Sequence, residues 1–228
     1  TQRSQASSLL SNFTHFAIPN PLDKSLFYPK NKSTARQNLG LDSNKTYLLF
    51  VAMKVSVIWK GFYLLEESLN ELKKTQSNNE SKDIELLVVG QANPLDFESF
   101  PFKIHLLGHI KDTELMNDIY NASDVFVTSS IQENLPNTIM ESMATGTPCV
   151  GFNVGGIPEM IEHKKTGYLA NYKSATDLAK GINWVINESS IEELKTNCVE
   201  KVKSEFEKEV VATKYLEVYK SLTSNPKL

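Results

Sequence analysis

The sequence has few of the residues that mark specialised classes of protein. Its two cysteines, Cys149 and Cys198, show neither metal-ligand spacing nor a pairing pattern, so we expect two reduced thiols, as in a cytosolic protein. Arginine occurs only at Arg3 and Arg36, and the formal net charge is −3. Because that balance provides no broad basic surface, we predict no binding to nucleic acid. No stretch approaches the roughly 20 apolar residues that a membrane-spanning helix needs.

Motifs of several common active sites are also missing. The chain contains no Walker phosphate loop and no Gly-x-Ser-x-Gly nucleophile elbow. No group of His, Cys and Asp has the spacing of metal ligands. We therefore predict no metal and no cofactor, and the candidate chemistry lies in polar residues that follow the predicted strands.

Short apolar runs alternate with helical patterns along the chain. Continuous apolar runs are typical of strands buried on both faces, as in a parallel sheet. Their alternation with helices predicts an α/β fold with a doubly wound, six-stranded, Rossmann-like parallel sheet. The predicted strands are Tyr47–Met53, Ile84–Val89, Phe102–Leu107, Val125–Thr128, Pro148–Phe152 and Gly167–Leu169.

Helical periodicity fills the intervals between these runs and continues towards the end of the chain. Three C-terminal helices are predicted after Ser174, and the last of them spans Val210–Leu222. Alternating residues at Phe13–Ile18 predict one further short strand before the sheet. The earlier predicted helices are Ser33–Gly40, Gly61–Lys74, Asp112–Tyr120, Pro136–Thr145 and Pro158–Glu162.

Two carboxylates, Glu133 and Glu141, flank a predicted helix start. Glu133 follows the strand Val125–Thr128, so we expect it at the carboxyl edge of the sheet, where open α/β sheets bind ligands. Pro136 suits the first helical position, close to unpaired N–H groups that attract anions. Paired carboxylates also occur in glycoside hydrolases. The spacing of Glu133 and Glu141 does not decide between glycoside hydrolysis and phosphate binding, but the adjacent helix start favours phosphate binding.

Cations and backbone groups near the same predicted edge are candidates for binding a phosphate group. Lys54 and Lys60 follow the first strand of the sheet, and Gly61 opens the next helix. A lysine at such a loop can reach a phosphate as a point charge, although either lysine could equally be a solvated surface charge. The backbone N–H groups of Asn134 and Leu135 are candidates for the phosphate oxygens.

Three further positions and a glycine pair complete the candidate site. Gly155 and Gly156 would allow close backbone approach to a ligand, or form a flexible turn. Gly108, His109 and Ile110 leave the third strand on the same edge, where their backbone could contact a nucleotide base. A surface role is the alternative for His109.

Several motifs occur in a fixed order. Glu133 and Glu141 form an E-x7-E pattern, followed by G-G-x-P-E at Gly155–Glu159 and then by Thr166–Leu169. Upstream stand Ile18–Asp23 and Trp59–Gly61. Together these motifs resemble those of retaining GT-B glycosyltransferases, and most closely the large glycosyl transferases group 1 family, known as family 4.

The resemblance implies roles for individual residues. In that family the first glutamate contacts the donor sugar and the second binds the nucleotide ribose, which implies these roles for Glu133 and Glu141. An arginine and a lysine usually face the diphosphate. Lys60 matches the lysine, whereas Lys54 is the cation nearest to the arginine position in a loop whose length departs from the family pattern. Glu133, Lys60 and Lys54 are thus the implied catalytic residues, and the Asp-x-Asp metal motif of other glycosyltransferases is absent.

The resemblance also implies a division of the chain. Residues 1–29 correspond to the inter-domain segment with a remnant of the first domain, and residues 30–228 to the C-terminal, donor-binding domain. The last helix of family members often crosses back to the first domain, which implies that Val210–Leu222 exposes an apolar face in this chain. The donor would be a UDP- or GDP-linked sugar used without a metal. The acceptor would be a glycan or a lipid-linked glycan, bound mainly by the first domain.

Family members of this kind commonly act in bacterial surface polysaccharide synthesis. That implies a cytoplasmic location, with peripheral association of the full-length enzyme at the inner membrane face. A surface loop is the alternative for the inter-domain segment. A nucleotide-sugar epimerase or phosphorylase-like enzyme of the same fold, or a non-catalytic nucleotide-sugar binding module, is the alternative for the function.

Overall fold

The computed structural model describes residues 5–76 and 82–223. All six predicted strands of the sheet are present, with ends that differ by no more than two residues from the predicted ones. They are parallel and lie in the order β3-β2-β1-β4-β5-β6. The strands are β1 (Thr46–Lys54), β2 (Ile84–Gln91), β3 (Lys103–Gly108), β4 (Val125–Thr128), β5 (Cys149–Phe152) and β6 (Gly167–Ala170).

The helices connect these strands and then extend beyond the sheet. Asp112 and Ser174 cap their helices by accepting hydrogen bonds from first-turn N–H groups, as expected for N-cap residues. Helix α1 (Lys32–Asn38) precedes β1, and the α-helices between the strands are α2 (Phe62–Gln76), α3 (Thr113–Ala122), α4 (Asn137–Ala144) and α5 (Ile157–Met160). After β6 follow α6 (Ala175–Asn183), a π-helical turn (Trp184–Glu188), α7 (Ile191–Glu205) and α8 (Lys208–Thr223).

Helices cover both faces of the sheet, so the prediction of a doubly wound α/β fold is confirmed. Side chains alternate between the faces along a strand. In β1, Leu48 and Phe50 pack with apolar residues of α2 and α6. Tyr47 and Leu49 point to the opposite face and join the apolar residues of α3, α4 and α7.

The strand order places a ligand-binding position at one specific point. Connections from β1 run outward to β2 and β3, whereas β4 lies on the other side of β1. The loops after β1 and β4 therefore diverge at the carboxyl edge, and this topological switch point is where open α/β sheets bind ligands.

The predicted strand at Phe13–Ile18 is wrong. Residues 14–18 have no regular secondary structure, and Phe13 and Phe16 are exposed. Alternation alone cannot make a strand, because a strand needs a neighbour to satisfy its backbone hydrogen-bonding groups.

The segment that follows, residues 20–31, is packed onto the domain. Leu22 is buried, its N–H donates to the carbonyl of Phe206 at 2.7 Å, and its carbonyl accepts from the N–H of Lys208 at 3.2 Å. Further along, the N–H of Tyr28 donates to the side chain of Asn117 in α3 at 3.2 Å. These contacts make residues 20–31 part of the fold, and the boundary at residue 29 stays a prediction.

The described helices bear on the questions of partner and membrane contact. The predicted apolar face of the last helix is present, because Tyr215, Leu216, Tyr219 and Leu222 of α8 are each at least 43% exposed. None of the described helices combines the length and the apolar content required to cross a membrane.

Candidate active site

The loops after β1 and β4 are bonded to each other at the switch point. The hydroxyl of Ser129 donates to the carbonyl of Lys60 at 2.9 Å, and the N–H of Ile131 donates to the carbonyl of Trp59 at 2.9 Å. Gly61 has a left-handed backbone (φ 63°), and a Cβ at this position would lie 2.0 Å from the carbonyl oxygen of Ser129. The close contact therefore requires glycine at position 61.

This contact brings two predicted catalytic residues together. The ammonium group of Lys60 pairs with Oε1 of Glu133, and the hydroxyl of Ser130 donates to the same oxygen at 2.9 Å. The side chains of Lys60 and Glu133 keep 29% and 14% exposure. The pair is therefore accessible, and among the described residues no further partner bonds to Oε2 of Glu133 or to the other two N–H groups of the ammonium.

Glu141 lies in α4, and one of its two carboxylate oxygens accepts a hydrogen bond from a neighbouring helix. The hydroxyl of the fully buried Tyr120, in α3, donates to Oε2 of Glu141 at 2.8 Å. Burial raises the pKa of Glu141, and the hydrogen bond from Tyr120 opposes part of that increase. Within the described residues, Oε1 of Glu141 has no hydrogen-bond partner, which leaves one carboxylate oxygen for a ligand hydroxyl.

The N-terminus of α4 adjoins Glu133. Pro136 was predicted at the first helical position, but its extended backbone (ψ 121°) makes it the N-cap, and the helix begins at Asn137. Pro136 has no side-chain donor or acceptor to cap the helix. Nothing in residues 5–76 and 82–223 accepts a hydrogen bond from the backbone N–H of Asn134, Leu135 or Asn137. Such unpaired N–H groups at a helix start bind anions.

The glycine pair lies directly behind the loop that carries Glu133. Gly155 has φ 59°, and a Cβ there would lie 1.9 Å from the carbonyl oxygen of Glu133. A Cβ on Gly156 would lie 2.0 Å from the carbonyl oxygen of Asn134 and 2.9 Å from Cδ2 of Leu135. The observed close approach is thus between two backbone segments, and it fixes the position of Glu133.

The remaining predicted residues are not gathered around the Lys60–Glu133 pair by any described contact. Lys54 ends β1 and is exposed, and no described side chain bonds to its ammonium group. His109 is exposed and Gly108 (φ 69°) ends the edge strand β3. Ile110 packs its side chain against the core on the α3 face.

Sequence reasoning missed Tyr120 and Ser130. Ser130 follows a buried strand at the switch edge, and a hydroxyl at that position is a usable signal in the sequence. Tyr120 gave no such signal, because an aromatic residue on a helical face is expected in the core. Only the packing of α3 against α4 shows that its hydroxyl reaches Glu141.

The described residues contain no group of three or more His, Cys, Asp or Glu side chains that could hold a metal ion. Cys149 and Cys198 are unpaired and buried, and burial raises the pKa of Cys149 to about 12. The groups that the site presents are carboxylates, an ammonium group, hydroxyls and backbone N–H groups.

The profile of the family described as "Glycosyl transferases group 1" matches residues 45–188. The chain belongs to the glycosyl transferases group 1 family. The matched stretch includes both site loops, α4 and the glycine pair, so family membership rests on the part of the chain that forms the candidate site.

Curated relatives in bacteria support the assignment to this family. One is the N-acetyl-alpha-D-glucosaminyl L-malate synthase of Bacillus anthracis, 24% identical over 89% of this chain and 52% of the relative. Another is the UDP-Gal:alpha-D-GlcNAc-diphosphoundecaprenol alpha-1,3-galactosyltransferase of Escherichia coli, 27% identical over 83% of this chain and 49% of the relative. The chain thus spans about half the length of these relatives.

Solved structures show the same fold as this group 1 chain. Sucrose-phosphate synthase from Thermosynechococcus elongatus superposes with a TM-score of 0.80 at 24% identity, over 98% of this chain and 56% of that one. Anabaena HepE in complex with UDP and glucose gives 0.72 at 21%, over 98% and 61%. The C-terminal domain of a group 1 family protein (LpcC) from Francisella tularensis gives 0.66 at 23%, over 82% and 99%.

Proposed function

We propose that this chain binds a nucleoside diphosphate sugar, UDP- or GDP-linked, and supplies the donor half of a retaining glycosyltransferase. The observation that carries the proposal is the Lys60–Glu133 pair beside the uncapped N-terminus of α4, at the switch point of a group 1 family sheet. A cation and unpaired N–H groups suit a diphosphate, and an accessible carboxylate suits sugar hydroxyls. The complex of HepE with UDP and glucose supports the ligand class.

In the proposed complex each group has a separate task. Lys60 and the N–H groups of Asn134 and Leu135 stabilise the negative charge on the leaving diphosphate. Glu133 accepts hydrogen bonds from the donor sugar, and Glu141 from the ribose. Lys54, which is exposed at the end of β1, is the second cation proposed for the diphosphate.

The proposed reaction is a front-face displacement. The acceptor oxygen forms a bond to the anomeric carbon on the face from which the diphosphate departs, so the configuration is retained. The bond from the anomeric carbon to the phosphate oxygen breaks, and that oxygen takes the proton of the acceptor hydroxyl. The protein's contribution is positioning and electrostatic stabilisation, and we propose that it needs no metal.

Acceptor binding is assigned to another part of the enzyme. The chain covers 99% of the LpcC C-terminal domain and about half of the curated relatives, which supports the interpretation of residues 30–228 as one donor-binding domain. The diphosphoundecaprenol in the name of the Escherichia coli relative favours a glycan or lipid-linked acceptor and polysaccharide synthesis. A cytoplasmic enzyme working against the inner membrane face would meet such an acceptor.

The central test measures nucleotide affinity by isothermal titration calorimetry. We expect the chain to bind UDP or GDP, and Glu141→Ala to weaken that binding roughly tenfold, because hydrogen bonds to a charged group contribute about 1.5–3 kcal/mol. A thermal-shift panel of UDP-, GDP- and ADP-sugars identifies the base. Unchanged affinity of Glu141→Ala for both nucleotides would overturn the ribose assignment.

A second measurement separates transfer from epimerisation. The full-length enzyme with donor and acceptor is expected to release free UDP or GDP, whereas an epimerase leaves the nucleotide sugar intact at equilibrium. This chain alone is expected to bind the nucleotide with little transfer. Rapid transfer by the 228-residue chain to a simple acceptor would contradict the proposed division of labour.

A further inference from the structure

The contact between Tyr120 and Glu141 joins a buried hydroxyl to a carboxylate of the proposed site. The hydroxyl of Tyr120 donates to Oε2 of Glu141 at 2.8 Å. Tyr120 has no exposed surface, and within the described residues its hydroxyl bonds only to Glu141. If the carboxylate turned away, the buried hydroxyl would be left without a partner at a cost in free energy, so the bond holds Glu141 in its present orientation.

The Tyr120 ring is held in place from several sides. Phe27 and Phe126 contact it edge to face, with ring centroids at 5.9 and 6.2 Å. The backbone carbonyl of Tyr120 accepts a hydrogen bond from the hydroxyl of Thr147 at 2.8 Å. The donor is thus fixed relative to α4 by contacts from residues before the sheet, from β4 and from the turn before β5.

We infer that Tyr120 is a positioning residue that sets the preference of the site for a ribonucleotide. By occupying Oε2, it presents Oε1 of Glu141 in a single orientation towards the ribose hydroxyls. The inference rests on the proposed function, because it assumes that Glu141 binds the ribose. It goes further by assigning the orientation, and with it the ribose selectivity, to a residue that does not touch the nucleotide.

The charge state of the pair supports this geometry. Burial, together with the negative charge of Glu141, raises the pKa of Tyr120 well above its usual range, so the phenol stays a donor. The other titratable group that acts on Tyr120 is the thiol of Cys149 in β5, which is neutral near pH 7 because its pKa is about 12. Glu141 is therefore the group of this cluster whose ionisation changes between acidic and neutral pH.

The test compares UDP with its dideoxy analogue, which lacks both ribose hydroxyls. Titration calorimetry on the 228-residue chain gives both affinities for the wild type, Tyr120→Phe and Tyr47→Phe. Tyr47 is the control, because it is also buried and its hydroxyl also has a single hydrogen-bond partner among the described residues, the N–H of Asp42, from which it accepts. We expect Tyr120→Phe to reduce the preference for UDP roughly tenfold while the dideoxy affinity is unchanged. Tyr47→Phe keeps the preference.

A pH series distinguishes positioning from packing. Without the Tyr120 hydroxyl the pKa of Glu141 rises further, so the preference for UDP over the analogue is lost at a higher pH than in the wild type. The ratio of the two affinities cancels the titration of the phosphates. Fluorotyrosine in place of Tyr120 keeps the ring and strengthens the donor, so it should move the transition to lower pH even if Tyr120→Phe folds poorly.

The outcomes separate this inference from the proposed function. A wild type that prefers UDP, with Tyr120→Phe and the fluorotyrosine protein showing the same preference and the same pH transition, overturns the positioning role alone. A wild type that binds both nucleotides equally overturns the ribose assignment of Glu141 and the inference with it. Absence of any nucleotide binding overturns the proposed function as a whole.

Discussion

The side chain of Lys60 forms an ion pair that joins the loop after β1 to the loop after β4. Its ammonium group already pairs with Glu133, whose Oε1 also accepts from Ser130. A lysine ammonium has three donors and no acceptor, so it can contact a phosphate and keep the carboxylate. Glu133 therefore fixes the direction from which Lys60 meets a ligand.

Replacing this cation should weaken binding of the diphosphate and spare the nucleoside. We expect Lys60→Met to lower the affinity for UDP roughly tenfold and leave that for uridine unchanged, because charge-assisted hydrogen bonds contribute about 1.5–3 kcal/mol. Titration calorimetry measures both. Lys180→Met, at an exposed lysine of α6, is the control. An equal loss for uridine would show that the substitution had disturbed the loop instead.

The ionised side chain of Glu141 is expected to lower the stability of the fold while it serves ligand binding. Burial raises the pKa of Glu141 in the folded chain, so ionisation of this carboxyl group opposes folding. The neutral carboxyl group contributes stability that is fully present below the pKa of the unfolded chain. That contribution is lost as the pH rises through the pKa of the folded chain. We therefore expect Glu141→Gln to increase the free energy of unfolding at neutral pH. The gain should vanish in acid, as followed by urea denaturation. A variant less stable than the wild type at neutral pH would refute this account.

The sequence was informative about single residues where their chemistry is local. Glu133 and Lys60 follow apolar runs that end at the sheet edge, and their contact confirms that the two loops meet there. Tyr120 was not predictable as a site residue, because its role depends on the angle at which α3 packs on α4. Such an angle is a property of packed surfaces that the spacing of residues along one helix does not encode.

At the scale of elements, the turn after β5 supports the loop after β4. Gly155 and Gly156 contact the carbonyls of Glu133 and Asn134 more closely than any other residue type allows. The turn is therefore part of the scaffold that holds the loop, and its lack of side chains is what permits the two backbones to touch.

A matched pair of glycine substitutions separates backbone strain from this contact. Gly155 (φ 59°) and Gly40 (φ 66°) are both left-handed, but a Cβ on Gly40 would meet nothing within 4 Å. Gly40→Ala should therefore cost only the left-handed conformation, about 1–2 kcal/mol. Gly155→Ala should cost more and also weaken UDP binding, as measured by thermal unfolding and calorimetry. Equal effects of the two substitutions on stability and affinity would argue against the scaffold role.

The elements themselves were largely predictable, and the exception is instructive. Apolar runs predicted all six strands of the sheet, because a strand that is buried on both faces consists almost entirely of apolar residues. Phe13–Ile18 has the alternation of a strand, yet it lies outside the sheet. Whether a suitable segment becomes a strand depends on a free neighbouring strand, which only the complete arrangement of the chain determines.

At the scale of the whole molecule, the exposed apolar face of α8 leads us to expect self-association. Tyr215, Leu216 and Tyr219 present exposed apolar surface on this helix, of the kind that marks interaction sites. We expect this chain to self-associate as its concentration rises, and a Leu216→Ser, Tyr219→Ser variant to remain monomeric in sedimentation velocity. Leu95→Ser, at a leucine that is away from α8 and even more exposed than Leu216, should associate as the wild type does. A wild type that stays monomeric throughout would contradict the prediction.

The order of the strands also has a consequence for the time at which the site forms during folding. Leu48 in β1 pairs with Val125 in β4, and Lys60 meets Glu133 across 73 residues of chain. Contacts of such long sequence separation form slowly, because the intervening chain must first be ordered. The ability to bind nucleotide should therefore appear late in refolding, after the local helices, and bound UDP would act as a reporter of the pairing of β1 with β4.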